Sequence, residues 1–148
     1  MSYASRWTGR LSVRHDAVMN VQVLTLDGEL DAQTAPRVHG SVARAIVKAA
    51  PLVLDLRSLR ALDPAGVEML ENAVARVHDA GIALVAVRPA ALEVRRALKD
   101  ARIDARVQFA VSVSKAIEAV APTWNEGRRW TPTASKPIDP DDAAAPPG

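Results

Sequence analysis

The chain has 148 residues and a net charge of +2; 49% of its residues are apolar and only 3% are aromatic. This length suits one domain with an aliphatic core, and the absence of cysteine excludes disulfides, thiolate chemistry and cysteine-based zinc sites. The basic residues are mostly arginines spread along the chain, and stacking aromatics are scarce, which argues against direct nucleic-acid binding.

The N-terminal part of the chain predicts a flexible leader and then a β-hairpin. Residues 1–10 are polar, the first 16 residues lack the apolar core of a signal peptide, and no apolar run could span a bilayer. We therefore expect a cytoplasmic protein. Leu11 and Val13 alternate with polar neighbours, and a second strand covers 21–26. With a turn at 16–20, the two strands are expected to pair antiparallel.

The next segment predicts a helix after a break in the second strand. The polar run 27–31 is expected to end that strand, and Thr34-Ala35-Pro36 is typical of a helix start. Pro51 closes this helix. Its predicted buried stripe consists of Val38, Val42, Ile46 and Ala49.

The segment from Leu52 to Leu70 predicts a buried strand, a short loop and a well-defined helix start. Asp63 can cap the helix and Pro64 suits its first position. The apolar stripe of this helix is Val67, Leu70, Val74 and Val77. Because Ala65 and Gly66 are small, the helix start is expected to present nearly bare backbone, suited to the close approach of a partner or an anion. The alternative is an ordinary capped helix without a binding role.

The remaining pattern predicts a strand at 82–87, a helix at 90–101, a strand at 107–109 and a helix at 111–121. The expected buried side chains of the 90–101 helix are Leu92, Val94 and Leu98. We therefore predict a single α/β domain over 11–121, with a central mixed, mostly parallel sheet, an antiparallel edge hairpin, about five strands and four helices. The Pro-rich tail 122–148 is expected to be mostly disordered. Within it, Trp124 and Trp130 either dock back on the domain, which we favour, or anchor a partner.

The sequence lacks the usual signatures of catalysis and cofactor binding. There is no GxGxxG loop, Walker lysine, HExxH or GxSxG motif. His15, His39 and His78 lack metal-ligand spacing, and the latter two are expected to be solvated on helices. We therefore expect no enzyme activity, no catalytic residues, no metal and no cofactor.

One group of carboxylates stands near the predicted ends of strands: Glu29, Asp31, Asp55 and Asp63. Asp31 and Asp63 both precede predicted helices at the sheet edge where ligands bind in parallel α/β folds. A small-molecule or nucleotide site there is one hypothesis. The simpler interpretation, which we favour, is that both carboxylates cap helices.

Two motifs together resemble the STAS domain family, the anti-sigma factor antagonists. Gly28-Glu29-Leu30-Asp31 followed by Thr34-Ala35 resembles the G-E-L-D…T-A opening of that family. Asp55-Leu56 followed by Asp63-Pro64-Ala65-Gly66 resembles its D-L…D-S-S-G switch loop. The order of elements agrees from Leu11 to Ala121. The later stretch 85–98, with a basic strand end, a proline and a helix, fits as well.

The resemblance implies a bacterial-type, non-enzymatic regulator of transcription that binds an anti-sigma factor or kinase-like protein. The residues it assigns to partner binding are Glu29, Asp31, Asp63, Pro64, Ala65, Gly66 and Val67. In the family, phosphorylation of the second serine of the switch loop breaks the complex, because the phosphoryl group places charge in a closely packed interface.

The chain departs from the family at that serine. Pro64 and Ala65 occupy the two serine positions, so Ala65 is a degenerate phosphosite, and the nearest alternative hydroxyl is that of Ser58 in the preceding loop. The resemblance therefore implies constitutive binding, regulated by abundance or a ligand. The alternatives are a STAS module of another assembly, such as a lipid transporter component or a signalling scaffold, and a small-molecule sensor. The oligomeric state stays open, with a homodimer as one alternative.

Overall fold

The computed structural model describes residues 11–121, together with 141–142 and 144–145. Its strands are β1 (Leu11–Val18), β2 (Val21–Leu30), β3 (Leu52–Asp55), β4 (Leu59–Leu62), β5 (Leu84–Val87), β6 (Gln108–Ala110), β7 (Asp141–Asp142) and β8 (Ala144–Ala145). Its helices are α1 (Ala35–Lys48), α2 (Pro64–Asp79), α3 (Leu92–Asp100) and α4 (Val113–Val120), with a 3-10 turn at Ile103–Ala105. The predicted leader and the segment carrying Trp124 and Trp130 lie outside the described residues.

The main sheet contains six strands in the order β1-β2-β3-β5-β6, with β4 pairing to β2 beyond the end of β3. Strand β1 runs antiparallel to β2, and the other pairings are parallel. Strands β7 and β8 pair with each other as a separate two-stranded sheet. The predicted α/β class, the mixed and mostly parallel sheet, the antiparallel edge hairpin and the four helices are confirmed.

The predicted break in the second strand is wrong. The last residues of that strand stay in the sheet and pair with β4, a strand that the sequence did not predict. Strand β2 continues through the polar run to Leu30, and the predicted loop before α2 contains β4. Between Gly28 and Glu29 the register shifts, since their partners on β4 are Leu59 and Ala61. Gly28 has φ of +127°, a conformation open to glycine, so it carries an irregularity within the strand instead of a turn that ends it.

The hairpin turn is also shorter than the sequence indicated. Strand β1 extends to Val18, and only Met19 and Asn20 connect it to β2. Both residues have positive φ, 52° and 67°, as the two central residues of a type I′ turn require. The usual glycine signal of such turns is absent, and the sequence therefore indicated a longer turn at 16–20.

The two faces of the sheet are covered unequally. The larger core, with aliphatic side chains of α1, α2 and α3 in it, includes Leu24, Leu26 and Leu54. The smaller core lies under α4, where Ala116 and Val120 pack on a patch of strand valines consisting of Val21, Val23, Val53, Val85 and Val87. Burial of these side chains drives the fold.

The predicted helix stripes need two corrections. On α1, Val38 and Val42 are buried as predicted and Ala45 is buried as well, whereas Ala49 is exposed at the helix end and Ile46 is half-buried. Leu92 is the first residue of α3 and is exposed. The buried face of this helix contains Val94 and Leu98. None of the described helices is long and apolar enough to cross a membrane.

Candidate partner-binding site

The turn between β2 and α1 is shaped by Asp31 and Thr34. The Asp31 Oδ1 accepts hydrogen bonds from the backbone N–H groups of Gln33 (2.9 Å) and Thr34 (3.0 Å). The Thr34 hydroxyl donates to the carbonyl of Glu29 at 2.9 Å and lies 2.9 Å from the backbone N of Asp31. Asp31 therefore has a structural role in starting α1, and the Thr34 side chain is enclosed by the turn, with Thr34 only 2% exposed.

The start of α2 lies beside that turn. Leu30 and Leu62 are paired neighbours on β2 and β4, so Asp31 and Asp63 follow strand ends at the same sheet edge. The Asp63 Oδ1 accepts from the backbone N–H of Gly66 at 2.8 Å, which confirms its predicted role as the helix cap. The Asp63 backbone N–H donates to the carbonyl of Leu30 at 3.3 Å, which ties the start of α2 to the end of β2.

The small residues at the start of α2 do not all face outward. Pro64 is exposed, Ala65 is partly exposed, and Gly66 is buried. A Cβ on Gly66 would lie 2.4 Å from the Leu30 carbonyl oxygen, so glycine is needed here for close packing within the domain. Val67 is half-buried against the larger core. The surface open to a partner thus comes from Pro64 and Ala65, and Gly66 is covered by the chain itself.

An apolar groove, here called the α1–α2 groove, opens beside Ala65. Its volume is about 440 Å³, and its lining residues are Ala32, Ala35, Pro36, His39, Ala65 and Met69. The exposed His39 ring lies at this groove, with Nδ1 3.1 Å from an Arg76 guanidinium nitrogen. The sequence interpretation missed the contribution of α1. A usable signal was present in the small residues at both helix starts, Ala32 and Ala35 on one side and Ala65 on the other.

The four carboxylates do not form one cluster. Asp55 lies on β3 opposite Thr25 of β2, five residues before Leu30 at the end of that strand, so it is away from the edge that carries Asp31 and Asp63. Asp55 is buried, at 2% exposure. Its oxygens accept from Arg57 Nε at 3.0 Å and from an Arg57 terminal nitrogen at 2.9 Å. These hydrogen bonds and the charge of Asp55 raise the pKa of Arg57, so the guanidinium stays charged. Across the residues that the structure describes, no His, Asp or Glu group is arranged to hold a metal ion.

Hydroxyl groups near the α1–α2 groove are poorly placed for modification. Among the described residues, none that lines the groove carries one. The Thr34 hydroxyl is buried and hydrogen-bonded, as described above. Ser58 is exposed but lies in the turn between β3 and β4, where its carbonyl accepts from the Gly28 N–H at 3.1 Å.

Comparison with known proteins identifies the family to which most of this sequence is similar. The family model described as STAS domain matches residues 13–116. No curated protein matches the sequence.

Several solved structures share the fold at low sequence identity. One is an anti-sigma factor antagonist from Mycobacterium paratuberculosis, with a TM-score of 0.68 and 20% identity, over 76% of this chain and 95% of that one. Another is the phosphorylated form of the Bacillus cell fate determinant SpoIIAA, with a TM-score of 0.58 and 17% identity over 74% and 99%. A third is an anti-sigma-factor antagonist domain protein from Planctomyces limnophilus, with a TM-score of 0.61 and 14% identity over 74% and 97%.

Proposed function

The chain belongs to the STAS domain family, and from this premise we propose that it is a non-enzymatic protein–protein interaction module resembling an anti-sigma factor antagonist. Its proposed partner is an anti-sigma factor or kinase-like protein of a bacterial cell, and its proposed role is regulation of transcription in the cytoplasm. The observation that carries the proposal is the α1–α2 groove, which opens beside Ala65, the position of the family's second switch-loop serine.

The proposed interface has an apolar centre and a polar border. The groove supplies the centre, where a partner side chain can be desolvated, and the exposed Asp63 carboxylate and Glu29 and Asp31 supply polar groups near it. Pro64, Ala65 and Val67 belong to the same proposed surface. Gly66 contributes through shape alone, because its burial lets α2 approach β2 and thereby places Ala65 at the groove.

The proposed interaction lacks a phosphorylation switch at the α2 start. A phosphoryl group would add a charge of about −1.5 to −2 and displace a closely packed partner. Pro64 and Ala65 have no hydroxyl to accept it, and the groove-lining residues within 11–121 carry none either. Binding is therefore constitutive in this proposal, and regulation acts through abundance or a ligand.

The substitution Ala65→Asp tests where the partner docks. The wild-type chain is first used to isolate its partner from a lysate of the source cells, and the Kd of the purified complex is then measured by titration calorimetry. We expect Ala65→Asp to weaken the complex at least about tenfold, because it places an unpaired charge in a desolvated apolar contact.

The matched control is Ala75→Asp, which adds the same charge at an exposed position on the same helix outside the groove lining. It should leave the Kd within about twofold, since isolated surface substitutions have small effects. Equal affinities of Ala65→Asp and the wild type would place the docking surface elsewhere. Recovery of no kinase-like or anti-sigma protein would count against the proposed partner.

The substitution Ala65→Ser tests the missing switch. Without ATP it should bind the partner like the wild type, because a small hydroxyl adds little bulk. After incubation with the partner kinase and ATP, intact-mass measurement should show phosphate on the serine variant and none on the Pro64–Gly66 loop of the wild type. Phosphate on the wild-type chain that dissociates the complex would contradict constitutive binding.

A further inference from the structure

A second groove lies on the other side of the domain from the β1–β2 hairpin, between α3 and the edge strand β6. We call it the α3–β6 groove. Its volume is about 390 Å³, within the range of small-molecule sites. The residues that line it are Arg88, Pro89, Arg95, Leu98, Lys99, Asp104, Val107, Gln108 and Phe109.

The inner part of the α3–β6 groove is apolar. Pro89, Leu98 and Val107 are buried and form its base. Phe109, the only phenylalanine in the chain, is half-buried, so part of its surface stays accessible within the groove. An aromatic side chain with an accessible surface in an otherwise aliphatic domain favours contact with a hydrocarbon or aromatic ligand.

The outer part of the groove is basic. Arg88, Arg95 and Lys99 are exposed at its border, against the single carboxylate of Asp104. Within residues 11–121 none of these three cations takes part in an ion pair. Arg95 Nε donates to the carbonyl of Pro89 at 2.7 Å, and both residues line the groove, so this hydrogen bond restrains the guanidinium at its border.

We propose that the α3–β6 groove binds a small organic anion, an apolar body carrying a phosphate or carboxylate group. An inorganic anion would make no use of the apolar base, and a neutral apolar molecule would make no use of the three cations at the border. An amphipathic anion satisfies both parts, with its body on Phe109 and its charge between Arg95 and Lys99. This site is separate from the α1–α2 groove, since the two share no lining residue.

Binding can be measured with simple probes on the full chain. The aromatic sulfonate 1-anilinonaphthalene-8-sulfonate reports apolar anion sites by fluorescence, and phenyl phosphate, phenylacetate, benzyl alcohol and inorganic phosphate serve as competitors. We expect saturable binding that weakens as salt rises. Phenyl phosphate or phenylacetate should compete at least about tenfold better than inorganic phosphate or benzyl alcohol, and their ranking distinguishes phosphate from carboxylate.

Charge-removing variants locate the site. The double variant Arg95→Gln/Lys99→Gln should weaken binding at least about tenfold, because each lost charged hydrogen bond has a large effect. The matched control Arg96→Gln removes an exposed charge from the same helix outside the groove and should change the affinity less than about twofold. Lys99→Glu reverses the charge of an exposed side chain at the groove and should also weaken binding. It leaves the hydrogen bond from Arg95 to Pro89 in place.

The inference would be overturned by no saturable binding of any probe, by equal binding of the charge-removing variants and the wild type, or by competition from inorganic phosphate as strong as that from phenyl phosphate. Loss of probe binding in Ala65→Asp with retention in the double variant would assign the probe to the α1–α2 groove and also overturn it. Failure of the proposed partner interaction leaves these results unaffected, since Ala65→Asp should bind the probes like the wild type.

Discussion

Gly66 sets how closely helix α2 approaches strand β2. A Cβ at this position would lie 2.4 Å from the carbonyl oxygen and 3.0 Å from the carbonyl carbon of Leu30, and 2.8 Å from a methyl group of Leu62. The Leu30 carbonyl cannot move away cheaply, since it also accepts the Asp63 N–H. The glycine of the second motif therefore packs on the strand end of the first motif, which connects the two halves of the family signature physically.

We expect Gly66→Ala to lower the free energy of unfolding by about 1–3 kcal/mol, because backbone atoms must shift to admit the methyl group. Urea denaturation followed by circular dichroism measures the change. Gly40→Ala on α1 is the control: its Cβ would meet only the end of the Arg44 side chain, at 3.8 Å. That variant should gain about 0.4–1 kcal/mol from reduced backbone freedom in the unfolded chain. Similar effects at both positions would mean that the close contact at Gly66 is not limiting.

Among the elements, helix α1 is attached to the sheet at both ends by polar side chains. The turn formed by Asp31 and Thr34 holds its start. At its other end the buried Gln22 amide donates to the carbonyls of Ala45 (2.9 Å) and Ala50 (3.0 Å). The Gln22 Oε1 lies 2.7 Å from His15 Nε2, which acts as the donor because the amide oxygen can only accept. These contacts fix the position of α1 and thus one wall of the α1–α2 groove.

We expect Gln22→Leu to lower the free energy of unfolding by about 1–3 kcal/mol. Leucine keeps much of the volume but leaves the Ala50 carbonyl and His15 without their Gln22 contacts. Chemical denaturation measures the effect. Gln108→Leu, at an exposed glutamine on the edge strand, should change stability by less than about 0.5 kcal/mol. A Gln22 variant as stable as the wild type would show that packing alone holds the end of α1.

For the molecule as a whole, the two hydrophobic cores are built from residues between Leu11 and Val120. The larger core, with side chains of three helices, and the smaller core under α4 together enclose the parallel strands β3 and β5 on both faces. This supports the proposal that 11–121 is the folding unit.

We therefore expect a fragment of residues 11–121 to unfold cooperatively, with a Tm within about 4 °C of the full chain, since the described core is intact in it. Calorimetry checks the fold, and the Kd for the isolated partner checks the docking surface. A folded fragment that no longer binds the partner would favour the alternative in which the Trp124 and Trp130 segment anchors another assembly. A fragment that fails to fold would show that the domain extends beyond these limits.

Local patterns were sufficient for the order of the main-sheet strands other than β4 and of the four helices, and for the starts of α1 and α2. The pattern Asp63-Pro64 identified the start of α2 because capping depends on atoms within one turn, and the hairpin and parallel strands followed from short apolar runs between breakers. The same reasoning failed at 27–31 and at β4. There a glycine and several acidic residues look like a turn, but pairing with β1 at Asp27 and Gly28, and with β4 from Gly28 to Leu30, keeps the run in a strand.

The amino-acid sequence by itself determined the family motifs, the capped start of α2 and the absence of a hydroxyl at Ala65, since each is a property of neighbouring residues. The tertiary structure alone decided which way the small residues face. Gly66 is buried because helix α2 packs closely against the Leu30 carbonyl at this position. Ala65 lies in a groove because α1 supplies the opposite wall. Residues distant in sequence meet only when the sheet aligns their strand ends, so no local pattern could reveal these contacts.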